Sequence, residues 1–179
     1  MSPPPIRLHD KFFKVYLRER TILHNIEIMA ARISHDYKGK QPLFVSVLNG
    51  SFMFSADLLK EVSIPCEISF VKLASYQAMA STGQVREVLG LNESLENRHV
   101  IILEDIVDTG HTVVALRQTL ERQKPASIDV ATLLLKPDSL EHPFDPRYTG
   151  ISISNEFVVG YGLDYNGLGR NLRDIYKVF

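Results

Sequence analysis

Apolar positions along this chain fall into two patterns: short, mostly apolar runs, and longer stretches in which apolar residues return every third or fourth position. The short runs occupy residues 43–48, 100–103 and 127–135. Such runs are typical of strands covered on both faces, as in parallel sheets. Residues 113–123 show helical spacing instead. The patterns predict an α/β fold with a central parallel sheet flanked by helices.

The segments between and before these runs complete the outline. Residues 10–34 carry apolar side chains at helical spacing and predict a helix. Three prolines near the start predict a frayed tail over residues 1–9. We also expect a helix over residues 52–60, a strand over 66–73 and a hairpin arm over 85–89.

No break in composition divides the chain, so we expect one domain over residues 1–179. Its core would span about 36–140, and a hood would come from about 10–35 plus 141–179. Residues 74–84 have neither period and are rich in small polar side chains. A long connector of this kind is either a lid over a site or an idle loop.

Composition and net charge argue against several classes of protein. The net charge of −1 offers no electrostatic footprint for nucleic acid or an anionic membrane. A single cysteine, Cys66, excludes an internal disulfide, and no Cys/His cluster has zinc spacing. No apolar run approaches the ~20 residues that span a bilayer, and the proline-rich start lacks a signal-peptide core. We therefore expect a cytoplasmic protein with no nucleic-acid or membrane partner.

The stretch from Val100 to Thr112 carries the most chemical information. Its apolar run leads into Glu104 and Asp105, at the carboxyl end of a strand, where open α/β sheets bind ligands. The turn over residues 108–112 then precedes a helix, whose first N–H groups favour a phosphate. Acids beside such a cradle repel an anion unless a cation lies between them. The stretch predicts Mg²⁺ or sugar hydroxyls on the acids beside a phosphomonoester, with a plain helix cap and a solvated loop as the alternatives.

The run Glu104-Asp105-Ile-Val-Asp108-Thr109-Gly110-His-Thr112 resembles the phosphoribosyl-pyrophosphate motif of type I phosphoribosyltransferases. The rest of the chain resembles the hypoxanthine-guanine branch, with matches in the family's order from residue 48 to residue 170. The resemblance implies a Mg²⁺-dependent purine-salvage reaction. It would join a 6-oxopurine to 5-phosphoribosyl 1-pyrophosphate and release IMP or GMP with pyrophosphate. Hypoxanthine, guanine and xanthine stay unranked, and a homodimer or homotetramer is implied.

The resemblance also assigns roles to single residues. Asp108 would take the proton from purine N7, while Glu104, Asp105 and Asp164 would bind Mg²⁺ and substrate. The other implied substrate contacts are a pyrophosphate loop that often holds a cis peptide (Leu48, Asn49, Gly50), the lid (Ser75, Tyr76), the phosphate turn (Val107, Thr109, Gly110, His111, Thr112), the reader of purine O6 (Lys136), the base platform (Phe157, Val158) and a pyrophosphate clamp (Arg170). The chain departs from the family at Asn49 and His111, where basic residues are frequent.

Side-chain chemistry agrees with two of these roles. An ammonium group only donates, so Lys136 could satisfy a 6-oxo group and would leave a 6-amino group unpaired. The alternative is a solvated cap. Phe157 could stack on a purine, and the alternative is ordinary core packing.

Two other classes of function stay open. One is a nucleotide-sensing, RNA-binding regulator on the same fold, against which the neutral charge balance speaks. The other is a binding module that keeps the cleft without catalysis, against which an intact Asp108 speaks.

Overall fold

The computed structural model describes residues 4–74, 86–141 and 143–179. Within them the elements run, in chain order, as β1 (Ile6–Leu8), β2 (Lys11–Leu17), α1 (Glu19–Asp36), β3 (Leu43–Leu48), α2 (Phe52–Glu61), β4 (Glu67–Ala74), β5 (Arg86–Leu89), β6 (His99–Val107), α3 (His111–Glu121), β7 (Ser127–Leu135), a 3₁₀ turn (Pro137–Ser139), β8 (Tyr148–Ser152), β9 (Val158–Val159) and β10 (Ile175–Val178). None of these helices is both long and apolar enough to cross a membrane.

A six-stranded sheet forms the centre of the molecule, in the order β5-β4-β3-β6-β7-β8. Five of its strands are parallel, and β5 pairs antiparallel with β4 at the edge. A smaller antiparallel sheet, in the order β1-β2-β10-β9, joins the two ends of the chain and forms the hood. The α/β prediction with a central parallel sheet is confirmed, and so is the hairpin arm at β5.

Apolar side chains cover most of both faces of the central sheet, which explains the long apolar runs in its inner strands. Phe44, Ile101 and Leu103 pack into one layer with α1 and α2. Val45 and Ile102, their neighbours in sequence, pack into the other layer with α3. Since successive side chains of a strand point to opposite faces, a strand covered on both sides needs no polar positions.

The predictions for the N-terminal region are partly wrong. The helix expected over 10–34 begins only at Glu19, because residues 11–17 form β2 between β1 and β10. Ile6 to Leu8, expected to be frayed, pair with β2. The error at β2 has a non-local cause: its partner strand β10 comes from the other end of the chain, which a local pattern does not register.

The bounds of core and hood stay a prediction, but the contacts favour different limits. Helix α1 packs against α2 and β8, and β8 belongs to the central sheet. Within the described residues, the hood sheet is formed by β1 with β2, which precede that unit in the chain, and by β9 with β10, which follow it.

Candidate functional site

The carboxyl ends of β3 and β6 lie side by side and open into a cleft of about 350 Å³. The cleft is lined by the end of each strand, by the turn that follows β6 and by the start of α3. Predicted site residues that line it are Leu48, Gly50, Glu104, Asp105, Val107, Asp108, Thr109, Gly110 and Thr112. The structure therefore gathers the residues of two sequence motifs at one edge of the sheet.

The turn between β6 and α3 has the geometry of an anion cradle. Gly110 precedes α3 with φ of 86°, in the left-handed region that glycine adopts at little cost. Helix α3 has no acidic residue in its first turn, and the first N–H groups of a helix lack partners within it. His111 points its Nε2 at Glu141 Oε2, 2.6 Å away, so its side chain already has a contact.

Glu104 and Asp105 lie inside the last part of β6 rather than beyond it, which corrects the expected position. Both are buried, so the alternative of a solvated loop is wrong. Burial, followed by the charge of Asp105, raises the pKa of Glu104 well above its usual range. Burial also raises the pKa of Asp105 to about 6, although the hydrogen bond from the Ile106 N–H and the charge of Arg170 lower it. The surrounding protein therefore offsets only part of the cost of burying two charged carboxylates.

Glu104 and Asp105 fit the part of a Mg²⁺ site that a protein itself supplies. The described residues contain no group of three or more metal-binding side chains. Mg²⁺ usually keeps several waters and takes only one or two carboxylates, with substrate phosphates as further ligands. Asp164, the third predicted ligand, acts on Asp105 by its charge. It accepts a hydrogen bond from Gly167 N and forms an ion pair with Arg170 Nη2, each at 2.7 Å.

The loop after β3 has the cis peptide that the resemblance implied, between Leu48 and Asn49. Its Gly50 lies against Asp105: a methyl group at Gly50 would come within 1.8 Å of Asp105 Oδ2. On its other side, a methyl group at Gly162 would come within 2.0 Å of the Gly50 carbonyl oxygen. Arg170 Nη1 donates to the Gly162 carbonyl at 2.7 Å. The predicted pyrophosphate loop and the predicted clamp are thus brought together.

Lys136 contacts the candidate base directly. Its Nζ donates to Asp108 Oδ2 at 2.7 Å, and its backbone N–H donates to the Val107 carbonyl at 3.0 Å. Lys136 is buried, so the alternative of a solvated cap is wrong, whereas the Asp108 side chain is about half exposed. The two groups expected to meet neighbouring edges of a purine, N7 and O6, form an ion pair with each other.

Phe157 is not an ordinary core residue, since 42% of it is exposed. Its ring meets Tyr165 edge to face, with centroids 5.5 Å apart, and it lies 6.0 Å from the ring of Phe13. Val158, which follows, is buried in β9. An aromatic ring braced from two sides with an open face suits a stacked base.

Several supporting residues were not expected from the sequence. Under the Leu48–Gly50 loop, the buried Ser46 hydroxyl lies 2.7 Å from the hydroxyls of both Ser51 and Ser55. Ser51 Oγ also donates to the Val47 carbonyl at 2.6 Å. Tyr165 and Phe13 were equally missed. Serine in a strand, turn or helix carries no specific signal, so only the fold reveals these contacts. Ser75 and Tyr76 of the expected lid lie outside the described residues.

Comparison with known proteins agrees with this geometry. The family model of the phosphoribosyl transferase domain matches residues 14–166. Hypoxanthine-guanine phosphoribosyltransferases of Staphylococcus aureus and Staphylococcus epidermidis are 39% and 40% identical over 166 residues, which is 92% of this chain and 93% of each relative.

Solved structures of Trypanosoma cruzi hypoxanthine phosphoribosyltransferase are similar throughout. One, in complex with the product IMP, is 37% identical with a TM-score of 0.89 and covers 99% of this chain and 98% of its own. Another, concerned with the role of the C-terminal region in that protein's oligomeric state and enzymatic activity, is 38% identical with a TM-score of 0.89 and covers 97% and 95%. These relatives give no support to the RNA-binding alternative. The chain belongs to the phosphoribosyltransferase family, in its hypoxanthine-guanine branch.

Proposed function

We propose that this phosphoribosyltransferase joins a 6-oxopurine to 5-phosphoribosyl 1-pyrophosphate and releases the purine nucleoside 5′-monophosphate and pyrophosphate. Hypoxanthine and guanine, giving IMP and GMP, are the expected bases, with xanthine as a third to be tested. The observation that carries the proposal is the single edge of the sheet at which buried acids, an anion cradle and the Asp108–Lys136 pair meet. Each feature suits a different part of the two substrates.

The sugar substrate enters with its 5′-phosphate on the turn before α3. The N–H groups of that turn bind the phosphate, with the hydroxyls of Thr109 and Thr112 beside them. Glu104 and Asp105 face the ribose hydroxyls, and Asp164 lies on the pyrophosphate side. These three carboxylates would hold Mg²⁺, which when bound supplies positive charge against the negative charge of the departing pyrophosphate.

Departure of pyrophosphate from the anomeric carbon gives the sugar oxocarbenium character, as in other glycosyl transfers. The backbone of the Leu48–Gly50 loop and the guanidinium of Arg170 receive the leaving group. A planar, permanently charged guanidinium is well suited to pyrophosphate oxygens. Gly162 contacts both groups, which supports a joint role for them.

Asp108 acts as the base for the purine. Its carboxylate accepts the N7 proton while the purine attacks the sugar carbon through N9. In the structure the same carboxylate accepts a hydrogen bond from Lys136. With a 6-oxopurine bound, the Lys136 ammonium also has the O6 atom as an acceptor, next to N7. Phe157 covers one face of the ring.

Turnover tests the proposal. The protein is incubated with Mg²⁺, 5-phosphoribosyl 1-pyrophosphate and each of hypoxanthine, guanine, xanthine and adenine, and the nucleotides are separated by chromatography. We expect IMP and GMP, with adenine slower by at least about 10²-fold because a 6-amino group faces a donor. Removal of Mg²⁺ with a chelator should stop the reaction. No nucleotide from any 6-oxopurine contradicts the proposed function, and equal rates with adenine contradict the role of Lys136.

Two further parts of the proposal concern the setting of the enzyme. We place it in the cytoplasm, which the free thiol of Cys66 supports. We also propose a homodimer or homotetramer. Light scattering on the purified protein tests the assembly, and a monomer at micromolar concentration contradicts it.

A further inference from the structure

Two elements that the proposed function assigns to pyrophosphate are joined through one residue, Gly162. Its Cα leaves no space for a methyl group beside the Gly50 carbonyl oxygen, so the two backbones are in direct contact. Its carbonyl accepts from Arg170 Nη1 at 2.7 Å, and its N–H donates to the Arg170 carbonyl at 2.9 Å. A shift of Gly162 would therefore move the loop and the clamp relative to each other.

The neighbouring residue, Tyr161, anchors this junction. Its side chain is buried, and its hydroxyl donates to Asp57 Oδ2 in α2, 104 positions earlier in the chain. Helix α2 starts at Phe52, directly after the loop that contains Gly50. The bond therefore ties the segment around Gly162 to the same helix that carries the pyrophosphate loop.

The backbone around Tyr161 depends on such an anchor. Gly160, Tyr161 and Gly162 all have φ in the left-handed region, at 101°, 51° and 99°. A residue with a Cβ keeps that conformation only where its surroundings hold it. The backbone bond from Tyr161 N to the Leu172 carbonyl, at 2.8 Å, holds one side, and the bond to Asp57 holds the other.

We propose that the Tyr161 hydroxyl and the Asp57 carboxylate are a positioning pair. The pair holds Gly162 in place, and through it Gly50 and Arg170, in the positions that bind the pyrophosphate group. The inference rests on the proposed function. Neither member of the pair touches the substrate. Their effect passes through the backbone of the junction, so they act on binding of the sugar substrate and not on binding of the base.

A second buried tyrosine provides a matched control. Tyr148 donates its hydroxyl to Asp36 at 2.8 Å, as Tyr161 does to Asp57. That bond lies away from the cleft, at the end of α1, where Asp36 shares Arg147 with Asp129 near the amino end of β7. Tyr161→Phe and Tyr148→Phe each remove one hydroxyl from a buried ring that bonds an aspartate. A general loss of packing or stability affects both variants alike, whereas a loss of positioning affects only Tyr161→Phe.

The experiment measures binding and turnover separately in the full-length protein. Calorimetry with Mg²⁺ gives the Kd for 5-phosphoribosyl 1-pyrophosphate, and steady-state rates give KM for that substrate and for hypoxanthine. For Tyr161→Phe we expect Kd and KM for the sugar substrate to rise about 10-fold, with KM for hypoxanthine within about twofold of wild type, since misplaced binding groups act on the ligand they hold. Tyr148→Phe should match wild type in all three constants. Asp57→Asn, which keeps an acceptor for the tyrosine, should give a smaller rise than Tyr161→Phe.

The outcomes separate the two proposals. Wild-type binding of the sugar substrate by Tyr161→Phe overturns the positioning pair, whether or not the enzyme turns over. An equal rise for Tyr148→Phe overturns it as well, because the effect would then be general. Wild-type protein that binds the sugar substrate but makes no nucleotide overturns the proposed function alone, and wild-type protein that does not bind it overturns both.

Discussion

Pairs of carboxylates lie at both ends of the central strands and have opposite surroundings. Glu104 and Asp105 are near the carboxyl end of β6, at the cleft, whereas Asp36, the last residue of α1, and Asp129, near the amino end of β7, are at the far end. At the cleft end, burial raises the pKa of Glu104 and of Asp105. At the far end, Asp36 and Asp129 share Arg147, whose Nη2 and Nη1 lie 2.9 and 2.8 Å from them. There the hydrogen bond from Tyr148, followed by those from His35 and Arg147, lowers the pKa of Asp36.

The opposite pKa shifts distinguish a pair that stabilises the fold from a pair that is suited to binding a ligand. A carboxylate bonded to an arginine and a tyrosine hydroxyl is stabilised in its charged form by the protein itself. A buried carboxylate with a raised pKa lacks that support and is suited to a cation or to hydroxyl donors supplied from outside. The contrast predicts that substitutions at the two ends should separate activity from stability.

The largest effect is expected at the cleft end, for Asp108→Asn. An amide does not take up the N7 proton, so kcat should fall by roughly 10²- to 10⁴-fold while binding of the sugar substrate changes little. Asp129→Asn, at the far end, is the matched control and should keep kcat near wild type. Steady-state kinetics with hypoxanthine measures both, and undiminished turnover by Asp108→Asn would remove that residue from the role of base.

Asp105→Asn should stabilise the free protein while it impairs the enzyme. The pKa of Asp105 is raised from 3.8 to about 6, so ionising it costs folding free energy as pH rises through that window, and the cost persists at pH 7. Asparagine avoids the cost and can still accept from the Ile106 N–H. We expect a gain of about 1–3 kcal/mol at pH 7, because each pKa unit is worth about 1.4 kcal/mol.

Urea denaturation at several pH values measures this gain. It should shrink as pH falls through about 6 and be nearly absent below 3.8, where the carboxyl is protonated in both the folded and the unfolded state. A variant that is less stable than wild type at pH 7 would show that the protein stabilises the charged form of Asp105. That result would contradict the proposed contrast between the two pairs of carboxylates.

Asp36→Asn should have the opposite sign. The pKa of Asp36 is lowered from 3.8, so its charge contributes stability above that value and the contribution is lost as pH falls through the lowered pKa. The variant should therefore unfold more easily at pH 7 and match wild type in strong acid, with unchanged kinetic constants. A loss of stability that does not depend on pH would mean that packing, and not charge, is responsible.

The smallest effect is expected for Arg147→Gln. About half of the arginine side chain is exposed, and exposed ion pairs contribute only about 0.2–1 kcal/mol each. Thermal unfolding should show a modest decrease in Tm that becomes smaller at high salt, because salt screens the pairs in wild type. KM and kcat should stay at wild-type values, and a change in either would connect the far end to the cleft.

Much of the fold was predictable because its elements have strong local patterns. The strand over residues 127–135 has the predicted limits, and α3 begins within two residues of the predicted start at Val113. The candidate site was predictable for a related reason. In a parallel sheet the carboxyl ends of all strands lie at one edge, so the turns after β3 and β6 were expected at the same edge.

The limits of prediction follow from separation along the chain. The local pattern predicts helix where β2 lies, because the partner strand β10 is at the other end of the described chain. The bond between Tyr161 and Asp57 joins side chains 104 positions apart. The hydroxyls of Ser46, Ser51 and Ser55 are close in sequence, but their sequence context is not distinctive. The sequence pattern also does not indicate that Lys136 is buried, which is the finding that rules out a solvated cap.

By itself the sequence determined the order of strands and helices and the chemical groups available after each strand, because both depend on a few neighbouring residues. Tertiary structure alone decided which of those groups meet. In the folded chain Lys136 contacts Asp108, and Gly162 contacts Gly50. Glu104 and Asp105 are buried, whereas Asp36 accepts hydrogen bonds from an arginine and a tyrosine. The reason is physical: the pKa of a carboxyl and the reach of a side chain depend on what surrounds them in space, and those surroundings come from distant parts of the chain.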